Sequence, residues 1–237
     1  MLLGHLGLRF QGQLASPWSR RRPPGISHIR CEVMAASEKQ RPVILLDIMD
    51  TVVYDPFFHD MPVFFEMSFK ELLTSKHPTA WVEFECGAIS EDELLAKFFA
   101  DGRKVDGAAL KAMMVSKYRY LDGMEPLLGR LKSAGFQLHA MSNYPAWFRL
   151  IEEKLKPSEY LEWTFVSCQG PMKGLRKPST EAFEACVKTL GQPPENLIFV
   201  DDRKVNVEAA CAVGLDGILF QGAGALESEL LRRGLVF

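Results

Sequence analysis

The chain has 237 residues, is 47% hydrophobic and carries a formal net charge of -2, which suits one α/β domain with a modest insertion and excludes a fibrous or disordered polymer. So small a charge gives no general attraction for nucleic acid or an anionic membrane, and any phosphate ligand must be held by local groups. No apolar run approaches the roughly 20 residues needed to cross a bilayer, and Gly4 and Gly7 break the apolar stretch at the N-terminus.

The first 31 residues include Arg9, Arg20, Arg21, Arg22, Arg30 and the Pro23-Pro24 pair, with no acidic residue before Glu32. That composition is expected of an organelle transit peptide, which carries positive charge for import and stays unfolded. Ile29-Arg30-Cys31 followed by Val33-Met34-Ala35-Ala36 resembles the processing region of chloroplast precursors, so residues 1–38 are assigned to the transit peptide and the mature protein to the plastid stroma. The five cysteines, Cys31, Cys86, Cys168, Cys186 and Cys211, show neither CxxC spacing nor a clustered histidine, so reduced thiols are expected rather than a zinc site or a disulfide framework.

From Pro42 onward, short apolar runs alternate with amphipathic stretches, the pattern of β-α units around a parallel sheet. The spacing predicts strands over 43–46, 136–141, 163–168 (a buried strand), 197–200 and 217–220. Helices are predicted over about 125–134, 146–155, 180–190, 205–213 and 226–233, most of them ended by glycine or proline. Between residues 55 and 120 the alternation disappears. There Phe64, Phe65, Phe69, Leu72 and Leu73, then Leu94, Leu95, Phe98 and Phe99, recur at helical spacing, which predicts an inserted helical unit.

Three predicted strands run directly into polar residues: 43–46 into Asp47, 136–141 into Ser142, and 197–200 into Asp201. The carboxyl ends of parallel strands share one edge of the sheet, so these groups converge from distant parts of the chain. Asp47-Ile48-Met49-Asp50-Thr51, Ser142-Asn143, Lys177-Pro178 and Asp201-Asp202 together resemble the four motifs of the haloacid dehalogenase superfamily, in the right order, over residues 42–237. The resemblance implies an α/β fold: a Rossmann-like parallel core of residues 39–54 and 121–237 with a helical cap of the C1 type at 55–120.

It also implies a phosphatase in which Asp47 attacks phosphorus and water then hydrolyses the acyl-phosphate. Mg2+ is the implied cofactor, a hard cation taking oxygen ligands and bridging to phosphate. Its implied site consists of Asp47, the Met49 main-chain carbonyl and Asp202, with Asp201 alongside. Ser142 would bond a phosphoryl oxygen and Lys177 would pair with both nucleophile and phosphate. Lys173 and Arg176 are nearby alternatives, but the pairing with Pro178 favours Lys177.

One position departs from the pattern. Most phosphatases of this superfamily place a second aspartate two residues after the nucleophile to protonate the leaving oxygen; here it is Met49, whose thioether cannot transfer a proton. Asp50 is the nearest substitute, with a loop-stabilising role as its alternative, and His59, His77 and a metal-bound water are weaker candidates.

A narrower resemblance is to the plant plastid flavin mononucleotide hydrolases. It is carried by the Asp47–Thr51 motif and by Asp55-Pro56-Phe57, Lys76-His77-Pro78, 81–85, 120–124 and Ser142-Asn143-Tyr144-Pro145. It implies hydrolysis of flavin mononucleotide (FMN) to riboflavin and phosphate. Thr51, Asn143, Tyr144 and Trp81 are the candidate substrate contacts. Trp81 and Tyr144 stand out among aromatics that at helical spacing mostly form the core of the cap. Carbon-halogen hydrolases also lack the second aspartate, but they dispense with metal, so retention of Asp201-Asp202 favours a phosphatase. A phosphate-binding module without turnover is the third alternative, and oligomeric state is not legible.

Overall fold

The computed structural model describes residues 41–237; the transit-peptide assignment and Cys31 lie outside the described residues. The central strand β1 (Val43–Leu46) is buried at all four positions. Its side chains alternate between two cores: Ile44 and Leu46 join the cluster that extends beneath the insertion, while Val43 and Leu45 pack with Met141, Phe165, Phe183 and Phe199 on the other face. A parallel strand covered on both faces needs a continuous apolar run, which is why this segment shows no hydrophobic-polar alternation. Burial of each such side chain contributes about 1.5–3 kcal/mol.

Four further strands, β2 (Leu138–Ser142), β3 (Glu162–Val166), β4 (Leu197–Asp201) and β5 (Asp216–Leu219), complete a parallel sheet in the order β3-β2-β1-β4-β5. Strand β1 pairs with β2 on one side, Ile44 opposite Leu138, and with β4 on the other, Leu46 opposite Val200. The chain order reverses at β1, which opens a crevice outside the carboxyl ends of β1, β2 and β4. β3 is shorter than its predicted span and is only partly buried. It lies at the sheet edge with Glu162 exposed, and after Val166 the chain turns through a Gln169 N–H to Val166 carbonyl bond, with Gly170 in the left-handed region at φ 63°.

Five helices lie between β1 and the next core helix: α1 (Asp60–Phe64), α2 (Phe69–Ser75), α3 (Ala80–Glu85), α4 (Glu91–Ala96) and α5 (Gly107–Lys117). All but α5 are shorter than two full turns and would not persist alone in water. Caps and packing hold them. Ser68 with Glu71 and Ser90 with Glu93 form capping boxes at α2 and α4, each contributing about 1 kcal/mol. Leu72, Phe84, Leu94, Phe98, Phe99, Leu110 and Met114 form a shared apolar core. Of the residues expected to define this core, Leu73 is exposed, and Phe64 and Phe65 are only partly buried. Gly107 lets α5 approach α4 closely: a Cβ there would stand 2.2 Å from Leu95 Cδ1, and that leucine side chain would have to turn away.

The chain leaves and rejoins the sheet layer side by side. Val53 bridges both Met49 and Tyr120, and the Tyr54 N–H donates to the Arg119 carbonyl. The sheet is flanked by α6 (Met124–Ser133), α7 (Phe148–Leu155), α8 (Thr180–Leu190), α9 (Lys204–Ala212) and α10 (Ala223–Arg232). Cys86, Cys168, Cys186 and Cys211 are free thiols. Among the described residues, no helix is long and apolar enough to cross a membrane.

Candidate active site

The crevice holds a cleft of about 390 Å³, within the range of small-molecule sites. Its floor is built from the ends of three strands. Asp47 follows β1 directly, and its N–H donates to the Val200 carbonyl of β4 at 2.8 Å. Lys177 reaches the same point from the loop before α8, in a cis peptide with Pro178. It is 2% exposed, and its Nζ donates to Asp47 Oδ1 and to Asp201 Oδ2, both at 2.7 Å.

Asn143 holds that lysine in place from both sides. Its Nδ2 donates to the Lys177 carbonyl and its Oδ1 accepts the Lys177 N–H, each at 2.8 Å. Asn143 thus positions the lysine while lining the cleft, with a second Nδ2 hydrogen left for a ligand. Thr51, by contrast, is fully buried and absent from the cleft lining. Its hydroxyl accepts the Asp202 N–H at 3.2 Å and faces Asp47 Oδ2 at 3.5 Å, so it ties the nucleophile loop to β4 from behind.

Asp47, Asp201 and Asp202 each offer an oxygen within 4.8 Å of the others. One ammonium group pairs with only two of these three carboxylates, an excess of negative charge that a divalent cation would balance. Oxygen-only donors fit a hard ion such as Mg2+. The four oxygens of the two β4-terminal carboxylates are not equivalent. Asp201 accepts from Lys177, from both contacts of Asn206 Nδ2 at 3.0 Å, and from the Arg203 N–H at 2.8 Å, while Asp202 is exposed to the cleft. Asp201 is therefore saturated by protein donors and orients Lys177, leaving Asp47, Asp202 and the Met49 carbonyl as the more available donors.

Burial pushes the Asp47 carboxyl up to about 7; Lys177 opposes the shift, and Asp201 and Asp202 add to it. Lys177 is buried too, but its two carboxylate partners outweigh that cost and hold its ammonium above the usual lysine range. For Asp202, limited access to solvent and then the charges of Asp201 and Asp50 raise the carboxyl to about 6. A cation placed among these groups would pull both acids back down.

Ser142, at the end of β2, is fully buried, and its Oγ has no partner among the described residues. A sealed hydroxyl left unsatisfied costs about 1–3 kcal/mol, and its place on the cleft wall beside Asp47 and Lys177 suits an anionic oxygen.

Above this floor the cleft is walled by Phe57, Phe58, Leu73, Lys76, Trp81 and Tyr144. Trp81 packs on Phe57 with ring centroids 5.3 Å apart, and its Nε1 donates to Glu85 Oε1 at 2.6 Å. Glu85 Oε2 accepts from Arg176 Nη2 at 2.7 Å. Burial raises the Glu85 carboxyl, against the pull of Arg176 and the Trp81 bond. Tyr144 lies against the cleft, but its hydroxyl is bonded to that of Tyr118 at 2.8 Å.

Asp50 adopts a left-handed backbone, φ 55°, and its Oδ1 accepts the Asp55 N–H at 2.9 Å. It lines the cleft while holding the loop that follows it. The histidines expected as weaker acid candidates are elsewhere. His59 is exposed at the start of α1, and His77 Nδ1 accepts N–H bonds from Thr79 and Ala80 at the start of α3. Among the described residues no histidine lines the cleft. Sequence reasoning missed Asp55 and Glu85 as cleft carboxyls and Asn206 as the clamp on Asp201. The Asp55-Pro56-Phe57 and 81–85 segments carry the narrower resemblance, but nothing in their spacing tells which side chains face inward.

Comparison with known proteins agrees with this geometry. The family model of haloacid dehalogenase-like hydrolases matches residues 58–214. The chain is 47% identical over 198 residues, 84% of its own length and 80% of the relative's, to the chloroplastic flavin mononucleotide hydrolase 1 of Arabidopsis thaliana. It is 31% identical to a sesquiterpene phosphatase of Aspergillus oryzae, over 65% of this chain and 78% of that one. Among solved structures, a magnesium complex of a haloacid dehalogenase family enzyme from Bacteroides thetaiotaomicron superposes with a TM-score of 0.65 at 20% identity, covering 82% of this chain and all (100%) of that one, a likeness of fold. With four motifs converging on one sheet edge and a relative at this level of identity, the chain belongs to the haloacid dehalogenase-like hydrolase family.

Proposed function

We propose that the protein is a Mg2+-dependent phosphatase that hydrolyses FMN to riboflavin and phosphate through an aspartyl-phosphate on Asp47. The observation that carries this reading is the Asp47–Lys177–Asp201 chain of 2.7 Å contacts beneath an aromatic wall of Phe57 and Trp81. The close relative named as an FMN hydrolase supports the substrate.

In this scheme the phosphate of FMN enters beside Asp47. The unsatisfied Ser142 Oγ donates to one phosphoryl oxygen, and Lys177 neutralises charge on the nucleophile and on the transferring group. Asp47 attacks in line, and the P–O bond to riboflavin breaks. Asp47, the Met49 carbonyl and Asp202 would hold Mg2+, which supplies charge neutralisation on the phosphoryl oxygens. Asp201 and Asn143 keep Lys177 aimed, and Thr51 couples the nucleophile loop to Asp202. Trp81 and Phe57 offer a face to the flavin ring. We assign residues 55–120 to a cap that covers this site, residues 39–54 and 121–237 to the core, and residues 1–38 to a plastid transit peptide. The chloroplastic relative supports the stromal location.

The retained Asp202 and the excess of carboxylates favour this reading over carbon-halogen hydrolysis, which needs no cation at the nucleophile. Phosphate release from FMN, assayed with Mg2+ and again after chelation, tests it. Release that is abolished by chelation and restored by Mg2+ is expected. Absence of release from any phosphate ester would reject the enzyme.

A further inference from the structure

We propose that Asp55 is the general acid and base of this enzyme, replacing the aspartate that Met49 displaces; the inference rests on the phosphatase reading above. Four carboxyl groups other than the nucleophile line the cleft: Asp50, Asp55, Glu85 and Asp202. Three of them are committed. Asp202 belongs to the cation site. Glu85 has one oxygen on Trp81 and the other on Arg176, so neither is free to meet a leaving group. Asp50 Oδ1 holds the Asp55 main chain, and Asp50, unlike Asp55, is only half-buried.

Asp55 differs from all three. It is 9% exposed; its Oδ1 accepts the Phe57 N–H at 2.9 Å, and its Oδ2 has no partner among the described residues. Among the described residues no lysine or arginine pairs with it. The groups facing it are the carboxyls of Asp50, Glu85 and Asp202 and the phenols of Tyr118 and Tyr144, which are themselves neutral. A carboxyl walled by other acids and phenols, with a single N–H donor, retains its proton to unusually high pH. Its pKa stands at about 7, burial being the largest cause, which is where a proton donor and acceptor works best at neutral pH.

The step balances. As an Asp47 oxygen bonds to phosphorus, the bond between phosphorus and the ribityl ester oxygen breaks and its electron pair stays on that oxygen, which takes the proton of Asp55. Riboflavin leaves as the neutral alcohol, and Asp55 is a carboxylate. Water then attacks phosphorus and gives its proton to Asp55, and the Asp47–phosphorus bond breaks to free phosphate and restore both groups. Asp50 becomes a positioning residue. Its left-handed turn and its bond to the Asp55 N–H place the acid, which explains an aspartate at a position that most of the superfamily fills with glycine.

A leaving-group comparison tests the role. FMN, an alkyl ester, needs protonation of its leaving oxygen, whereas p-nitrophenyl phosphate releases a stable anion. Asp55→Asn keeps an acceptor for the Phe57 N–H. In the full-length protein with Mg2+ it is expected to lower kcat on FMN by about 100- to 10,000-fold while p-nitrophenyl phosphate turnover stays within about tenfold of wild type, with Asp55→Glu recovering part of the FMN rate. Equal loss on both substrates with unchanged melting, or no loss on FMN, would overturn the proposal. If wild type leaves FMN intact but cleaves glycerol phosphate, the substrate reading fails, and the same alkyl-to-aryl split measured on glycerol phosphate decides Asp55.

Discussion

Replacing Lys177 with methionine removes the one ammonium that lies 2.7 Å from both Asp47 and Asp201, with side chains of the three residues at most 10% exposed. Deleting one partner of a buried ion pair costs about 3–5 kcal/mol, because the remaining charge has neither water nor a counter-ion. For a domain of this size that is a fall in melting temperature on the order of 10 °C. Circular dichroism melts in chelator would measure it, and the loss of a preorganised cation should also cut FMN turnover by about 100- to 1,000-fold. The double variant Lys177→Met with Asp201→Asn removes one of the stranded charges. It should regain part of the stability but none of the activity, a coupling of about 0.5–3 kcal/mol. Lys177→Met melting within about 2 °C of wild type, the shift expected of less than about 1 kcal/mol, would refute the premise that this cation offsets the buried carboxylates.

Ser142→Ala should leave stability unchanged or slightly raised, since an unsatisfied buried hydroxyl is removed, yet reduce kcat/KM on FMN by about tenfold to 1,000-fold; steady-state kinetics beside a thermal melt separates the two. Asp55→Asn should be more stable than wild type at pH 8 and equal to it near pH 4. The folded-state pKa of Asp55, about 7, lies above the ordinary 3.8, so stability linked to its proton is present at low pH and lost as pH rises through 7. Melts across that range read the sign. Trp81→Ala should raise KM for FMN more than for p-nitrophenyl phosphate, which lacks a flavin ring, in parallel steady-state assays. A fluorescent fusion of residues 1–40 should enter plastids; one retained in the cytosol would sink the transit assignment.

The parallel core was legible because its strands are short apolar runs ended by polar residues, and β1 needed no other signal: 43–46 is buried throughout. The site floor was legible for the same reason, since strand ends are fixed in space by the sheet itself. What the sequence did not disclose depends on side-chain direction. Asn143 and Thr51 belong to the right motifs, but whether an amide also clamps a neighbouring main chain depends on where the Lys177 main chain and the Asp202 N–H come to lie. The cap was harder still. Its helices are mostly of five to seven residues, too short for a clear 3.6-residue period, and Leu72 and Leu73 split between core and solvent. Asp55 and Glu85 looked like ordinary polar residues of a mixed segment; only their burial against one cleft sets them apart.

The most direct test is to identify the residue that becomes phosphorylated. Acid-quenching the enzyme during turnover of FMN with Mg2+, reducing any acyl-phosphate with borohydride and mapping the peptides by mass should convert position 47, and no other aspartate, to homoserine. Modification at another residue, or none in a protein that is turning over and an Asp47→Asn variant that still releases phosphate, would contradict a mechanism centred on Asp47.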